Sequence, residues 1–294
     1  MRVGTFLHGD HESWGLIEDD HVVDLPSLMS AARIPAASDL RGFLAQGGST
    51  ETIRDAFRRA DRQRSTFSLT DVRLLAPLPN PSKIVCMGLN FEDYRQILGL
   101  EYLAVPQLFL KAPSAIIGPD DAIEIPQGYG SVFHEFEIGA VIGRRIRGID
   151  EAAVPDAIFG YTIFNDIVLH DLELLTREYQ QWAKNCDTFA PMGPWVVTAG
   201  EVPIANARMV RRRNGAIESS SSTAQMRRPF TEMVAFVATF MTLEPGDLVT
   251  SASPPAGPFV PGDVLEVEVE GIGVLRNPVT ARTVDRRYAQ ALRL

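Results

Sequence analysis

The stretch FHEFEIGAVIG, residues 133–143, decides how this chain is read. Phe133, Phe136, Ile138, Val141 and Ile142 give it the apolar character of a buried strand. Glu135 and Glu137 nevertheless sit two residues apart inside it. Side chains alternate faces along a strand, so these two carboxylates share a face. On an apolar element they would repel each other and lose solvation. A second Glu-x-Glu run, VLEVEVEG at 264–271, is the ordinary case: Glu266, Glu268 and Glu270 alternate with Leu and Val, as on a half-solvated strand. The first run is far more apolar. A third acid, Asp166, ends the nearby strand candidate YTIFND. Three carboxylates from two adjacent strands make an all-oxygen site suited to Mg2+ or Mn2+, with Ca2+ as a third option.

The remainder of the chain reads as an ordinary globular protein. Of its 294 residues, 45% are hydrophobic and 22% charged, a balance that can build a large core. A formal charge of −9 argues against nucleic acid as a partner. Two cysteines, Cys86 and Cys186, cannot form a disulfide framework and read as small core residues. The N-terminus MRVGTFLHGD lacks an apolar signal core, and no stretch approaches a membrane span. A cytoplasmic location without membrane contact is expected.

Residues 1–75 read as a small α+β unit. MRVGTFLH, SWGLIED and HVVDL are short strands; PSLMSAARI and TETIRDAFRRADRQR are helices. The proline-rich APLPNPS at 76–82 marks a boundary to a second unit, 76–294. That unit is rich in strands. Asn214-Gly215 signals a hairpin, and the serine run at 219–222 reads as a loop. One helix, PFTEMVAFVATFMTL, places Phe230, Met233, Val234, Val237, Phe240 and Met241 on an apolar face.

The stretches KIVCMGLNF, LFLKAPSAIIGP, HEFEIGAVIG, GYTIFND, AKNCDTFAPMGPWVVT, FMTLEPGD and PGDVLEVEVEGIGVLRNPV occur in this order. Together they resemble the fumarylacetoacetate hydrolase family, and WGLIEDDHVVDL resembles its small N-terminal domain. The resemblance implies an α+β, mainly β fold, a mixed β-roll preceded by that small domain, assembled as a homodimer. It implies that Glu135, Glu137 and Asp166 bind the metal and that Lys184 neutralises an oxyanion on a 2-oxo or 1,3-dicarbonyl substrate. Asn90, Lys111, Thr250 and Ser253 fall at or near substrate-binding stretches.

The chain departs from the pattern where water is activated. Hydrolytic members carry Asn-Tyr-x-x-His-x-x-Glu in a lid; here residues 90–97 read NFEDYRQI, with Tyr94 and Ile97 replacing the dyad. A phenol is a poor base at neutral pH, and isoleucine cannot act at all. Val168, His170 and Glu173 replace a serine, an arginine and a glutamine. Thr250 to Ser253 read TSAS where the family has a Thr-Gly-Thr-Pro clamp. Tautomerase, isomerase, decarboxylase, dehydratase or other C–C lyase chemistry through an enolate is therefore favoured. A hydrolase with a substituted base and a degenerate binding or scaffold homologue are the alternatives. His170, Tyr94 and Glu173 join Lys184 as candidate catalytic residues. A helical turn starting at Asp166 would set His170 on its side, whereas His134 should point to the opposite face. Glu92 and Asp93 read as solvated lid residues.

Overall fold

Two long apolar strands organise the molecule. The computed structural model describes residues 1–175 and 177–293. In it, Val132–Ile142 pairs antiparallel with Ile158–Leu169 from Val132 opposite Leu169 to Gly139 opposite Thr162 and beyond. The second strand runs past Asp166, further than the expected end. Both strands are almost wholly buried, which accounts for their near-continuous Val, Ile and Phe content.

On one side the pair continues through Ala190–Thr198 to Arg2–His8, His11–Ile17, His21–Asp24 and Thr66–Ser68. On the other it continues through Leu248–Thr250 and Ile84–Gly88 to Gln107–Lys111. Arg2 lies opposite Val197 and Val3 opposite Val196, so one sheet runs unbroken from the N-terminal strands into the remainder. The N-terminal helices Leu25–Ala31, Leu40–Ala45 and Thr50–Arg59 pack their apolar sides on that sheet; the second of them carries no strong sequence signal.

A second sheet has the order Ala216–Ser222, Arg208–Arg213, Val264–Val269, Gly273–Arg282, Ile123–Pro126. Leu265, Val267 and Val269 are buried while Glu266 and Glu268 are half-exposed, the half-solvated pattern expected there. The hairpin turns at Asn214 and Gly215, whose φ values of 53° and 79° suit the tight turn. Ser219–Ser222 form a strand rather than a loop, because the hairpin register carries them opposite Arg211 to Arg208. The helix Phe230–Phe240 buries Phe230, Met233, Val234 and Val237 against the core between the sheets. Phe240 is exposed, contrary to expectation; it lies at the edge of the stripe in the last turn, beyond the reach of the core. The architecture is α+β and mainly β. Among the described residues no helix is long and apolar enough to cross a membrane.

Candidate metal centre

Strand register assembles the carboxylates. Glu135 lies directly opposite Asp166, and Glu137 follows on the same face two residues on. One carboxylate oxygen from each of Glu135, Glu137 and Asp166 lies within 4.8 Å of the others. Two ammonium groups reach in. Lys184, closing the helix Gln180–Lys184, donates to Glu135 Oε2 at 2.7 Å and Asp166 Oδ2 at 2.8 Å. Lys111, on the strand Gln107–Lys111, donates to Asp166 Oδ1 and to the Ile167 carbonyl. The Phe109 ring lies 4.9 Å from the Lys184 ammonium.

Burial and charge act in opposite directions here. Burial pushes the Glu135 carboxyl up to about 8; Lys184 opposes this, while the charges of Asp166 and Glu173 add to it. Burial, with Asp166 and Glu135 beside it, also lifts Glu137 well above the usual carboxylate range. Asp166 goes the other way: burial would raise it, but Lys111 and Lys184 hold it below its ordinary value. Burial would lower Lys184, yet Asp166 and Glu135 raise it. Three acids face two ammonium groups, and Glu137 receives neither. Among the described residues, Glu137 Oε2 and Thr250 Oγ1 are buried without a hydrogen-bond partner. A buried carboxylate oxygen without a partner is costly. An all-oxygen donor set with unmatched negative charge fits a hard divalent cation.

Glu135, Glu137 and Lys184 line a pocket of about 350 Å³, and Tyr94, His170, Glu173 and Ser253 share its wall. A larger hollow of about 700 Å³ lies elsewhere, between Gly47–Arg54 and Gly143–Arg144, and the carboxylate cluster is not part of its lining. His170 arrives by a different route from the one expected. The strand continues to Leu169, so alternation, not a helical turn, keeps residues 166, 168 and 170 in phase. Its ring stacks on Phe133 with centroids 4.0 Å apart. The Tyr94 phenol is pushed up to about 12, chiefly by burial and by Glu135, and so keeps its proton.

Lys111, Asn90 and Thr250 do not line this pocket. Lys111 is fully buried, with its ammonium turned to Asp166 and Ile167. Asn90 donates to the carbonyls of Arg228 and Ser251 and accepts from the Arg228 N–H, which makes it a fastener of the lid base. Thr250 is buried, and the Ser253 hydroxyl donates to the Pro254 carbonyl. Within the lid helix Glu92–Leu98, Glu92 is held down to about 2 by Arg95, then Tyr102 and Gln96. Asp93 accepts from the Ser221 hydroxyl at 2.5 Å. His134 is buried on the opposite face, edge-on to Phe259, and burial pushes it down to about 4. The sequence reading missed Phe109 and Gln180, which also line the pocket. Their signals were spacing: Phe109 precedes Lys111 by two on a strand, and Gln180 precedes Lys184 by four on a helix.

Residues 83–280 match the family model for the fumarylacetoacetate (FAA) hydrolase C-terminal domain. The chain belongs to this family. An archaeal relative, the uncharacterized protein MJ1656 of Methanocaldococcus jannaschii, is 42% identical over 202 residues, covering 68% of this chain and 83% of its own. The mitochondrial oxaloacetate tautomerase fahd2 of Xenopus laevis is 33% identical over 251 residues, covering 82% and 78%. Maleylpyruvate hydrolase from Sphingobium sp. SYK-6, solved with manganese(II) and pyruvate, superposes with a TM-score of 0.79 at 26% identity. That match covers 96% of this chain and 99% of the other. The two of these proteins that carry a named activity are enzymes, one a tautomerase and one a hydrolase.

Proposed function

We propose that this chain is a divalent-metal-dependent enzyme that interconverts the keto and enol forms of a 2-oxo acid, or performs a closely related enolate reaction. The observation that carries this reading is the placement of Glu135, Glu137 and Lys184 together at the base of one pocket, with Asp166 behind them. Glu135, Glu137 and Asp166 would hold Mg2+ or Mn2+, the donor set of three carboxylates favouring a hard cation. When bound, the cation supplies Lewis-acid stabilisation of negative charge on the substrate's oxygens.

The chain's own groups supply the proton chemistry. The Lys184 ammonium, raised by its carboxylate partners, stays charged and can donate a hydrogen bond to an oxygen that gains charge. Glu173 and His170 line the same wall and are the groups that can take a proton from the carbon beside the keto group and return it. Tyr94, still protonated, can donate a hydrogen bond to substrate but cannot act as a base at neutral pH. Water activation of the hydrolytic kind has no carboxylate at residue 97, where an exposed isoleucine stands. A relative named as an oxaloacetate tautomerase supports the same choice. A homodimer in the cytoplasm is part of the proposal.

Calorimetric titration of oxalate, a planar enolate mimic, into protein with Mn2+ tests this reading. Oxalate binding that requires Mn2+ and disappears in Glu135→Ala/Glu137→Ala protein is the expected result. Folded wild-type protein that binds neither Mn2+ nor oxalate would overturn it and favour a scaffold role.

A further inference from the structure

The base of the pocket is polar, and its outer wall sets leucines beside polar side chains, among them Gln107, Glu173 and Gln180. Leu98 and Leu100 come from the end of the lid helix and the turn after it, and Leu174 comes from the helix His170–Leu175. All three line the pocket while remaining 44%, 41% and 70% exposed. Large apolar side chains left in water and converging on one opening mark a place where apolar surface is to be covered. The charged group that shares this wall is Glu173, whose side chain accepts from Gln180 at 3.3 Å. Lys184, deeper in, is already engaged by Glu135 and Asp166.

We infer that the pocket selects a 2-oxo acid whose distal substituent is uncharged and apolar over one ending in a second carboxylate. The inference deepens the functional reading above and rests on it. A distal alkyl chain would lie along Leu98, Leu100 and Leu174, each methylene moved from water to that wall strengthening binding roughly fourfold. A distal carboxylate would lose hydration against the same leucines and meet the Glu173 carboxylate. The continuity of the leucines with the acid-binding end makes the substrate's own tail their occupant.

The test uses a pair of probes matched in length, 2-oxohexanoate and 2-oxoadipate, which differ in a terminal methyl or carboxylate. Oxalate reports on the acid-binding end alone. With Mn2+-loaded full-length protein, 2-oxohexanoate should bind at least about tenfold more tightly than 2-oxoadipate, a gap of about 1.4 kcal/mol or more. In Leu98→Arg and Leu174→Arg proteins the gap should close or invert while oxalate affinity is retained; both sites are solvent-exposed, so folding is expected to survive. Oxalate binding accompanied by equal or tighter binding of 2-oxoadipate in the wild type would overturn the inference alone. Loss of all three ligands would instead overturn the functional reading, and this inference with it.

Discussion

Glu135 and Asp166 face each other directly across the two longest strands, and the Lys184 ammonium bridges them at 2.7 and 2.8 Å. One group thus holds together two acids that would otherwise repel, and on the proposed reading it also meets the charge that develops on substrate. Replacing Lys184 with Met should lower kcat on a 2-oxo acid by about 10²–10³-fold, the usual effect of losing a charge-stabilising donor. Mn2+ binding should persist, because the three carboxylates remain. Steady-state kinetics beside calorimetry on the same protein separates the two effects.

Lys111 should behave differently. Its ammonium is buried against Asp166 and a backbone carbonyl, away from the pocket wall. Lys111→Met leaves Asp166 with one cation fewer inside the protein, and breaking such a pair costs about 3–5 kcal/mol. The expected signature is a drop in Tm of several degrees, partly restored by Mn2+. An unchanged Tm in metal-free protein would contradict the assignment.

The pH dependence of the metal-free protein follows from burial of Glu135. Burial lifts its carboxyl in the folded protein to about 8 from an ordinary value of 4.5, and Glu137 shifts the same way. Between those values the folded state binds more protons than the unfolded chain, so metal-free stability should fall as pH rises through that window. Metal binding expels those protons, so Mn2+ affinity should rise over the same window. In thermal melts from pH 5 to 8, Tm should fall with rising pH in chelator and stay nearly constant with saturating Mn2+, once other carboxylates are fully ionised.

Tyr94→His/Ile97→Glu protein tests what the altered lid does. Tyr94 already lines the pocket, so a histidine there can reach substrate, and a carboxylate introduced three residues on, in place of Ile97, could orient it. Hydrolysis of an acylpyruvate should appear or rise at least about tenfold in the double variant. Equal hydrolysis by wild type would show that water is activated by another group.

Much of this arrangement was legible because it follows from periodicity. Two glutamates at i and i+2 in an apolar run specify a shared face, and the acid ending the next apolar run falls opposite them when the strands pair. The Asn214-Gly215 hairpin was equally local. The serine run misled because serine's preference for turns is weak beside a register already fixed by the hairpin. Phe240 misled because a helical stripe says nothing about where the core ends. The commitments of Asn90 and Lys111 to buried partners depend on residues 138 and 55 positions away, which no local pattern encodes. The leucines at the pocket mouth carried no signal either; only their convergence from two helices and the turn after one of them gives them meaning.

The central claim is that this site removes and returns a proton beside a keto group. Solvent deuterium exchange at C3 of 2-oxohexanoate, followed by proton NMR with Mg2+ in place of paramagnetic Mn2+, tests it most directly. Exchange that requires the metal, and that is reduced at least about 100-fold in Lys184→Met and Glu135→Ala/Glu137→Ala proteins, is the predicted result. Exchange no faster than the buffer background, in wild-type protein shown to bind both metal and ligand, would contradict the account.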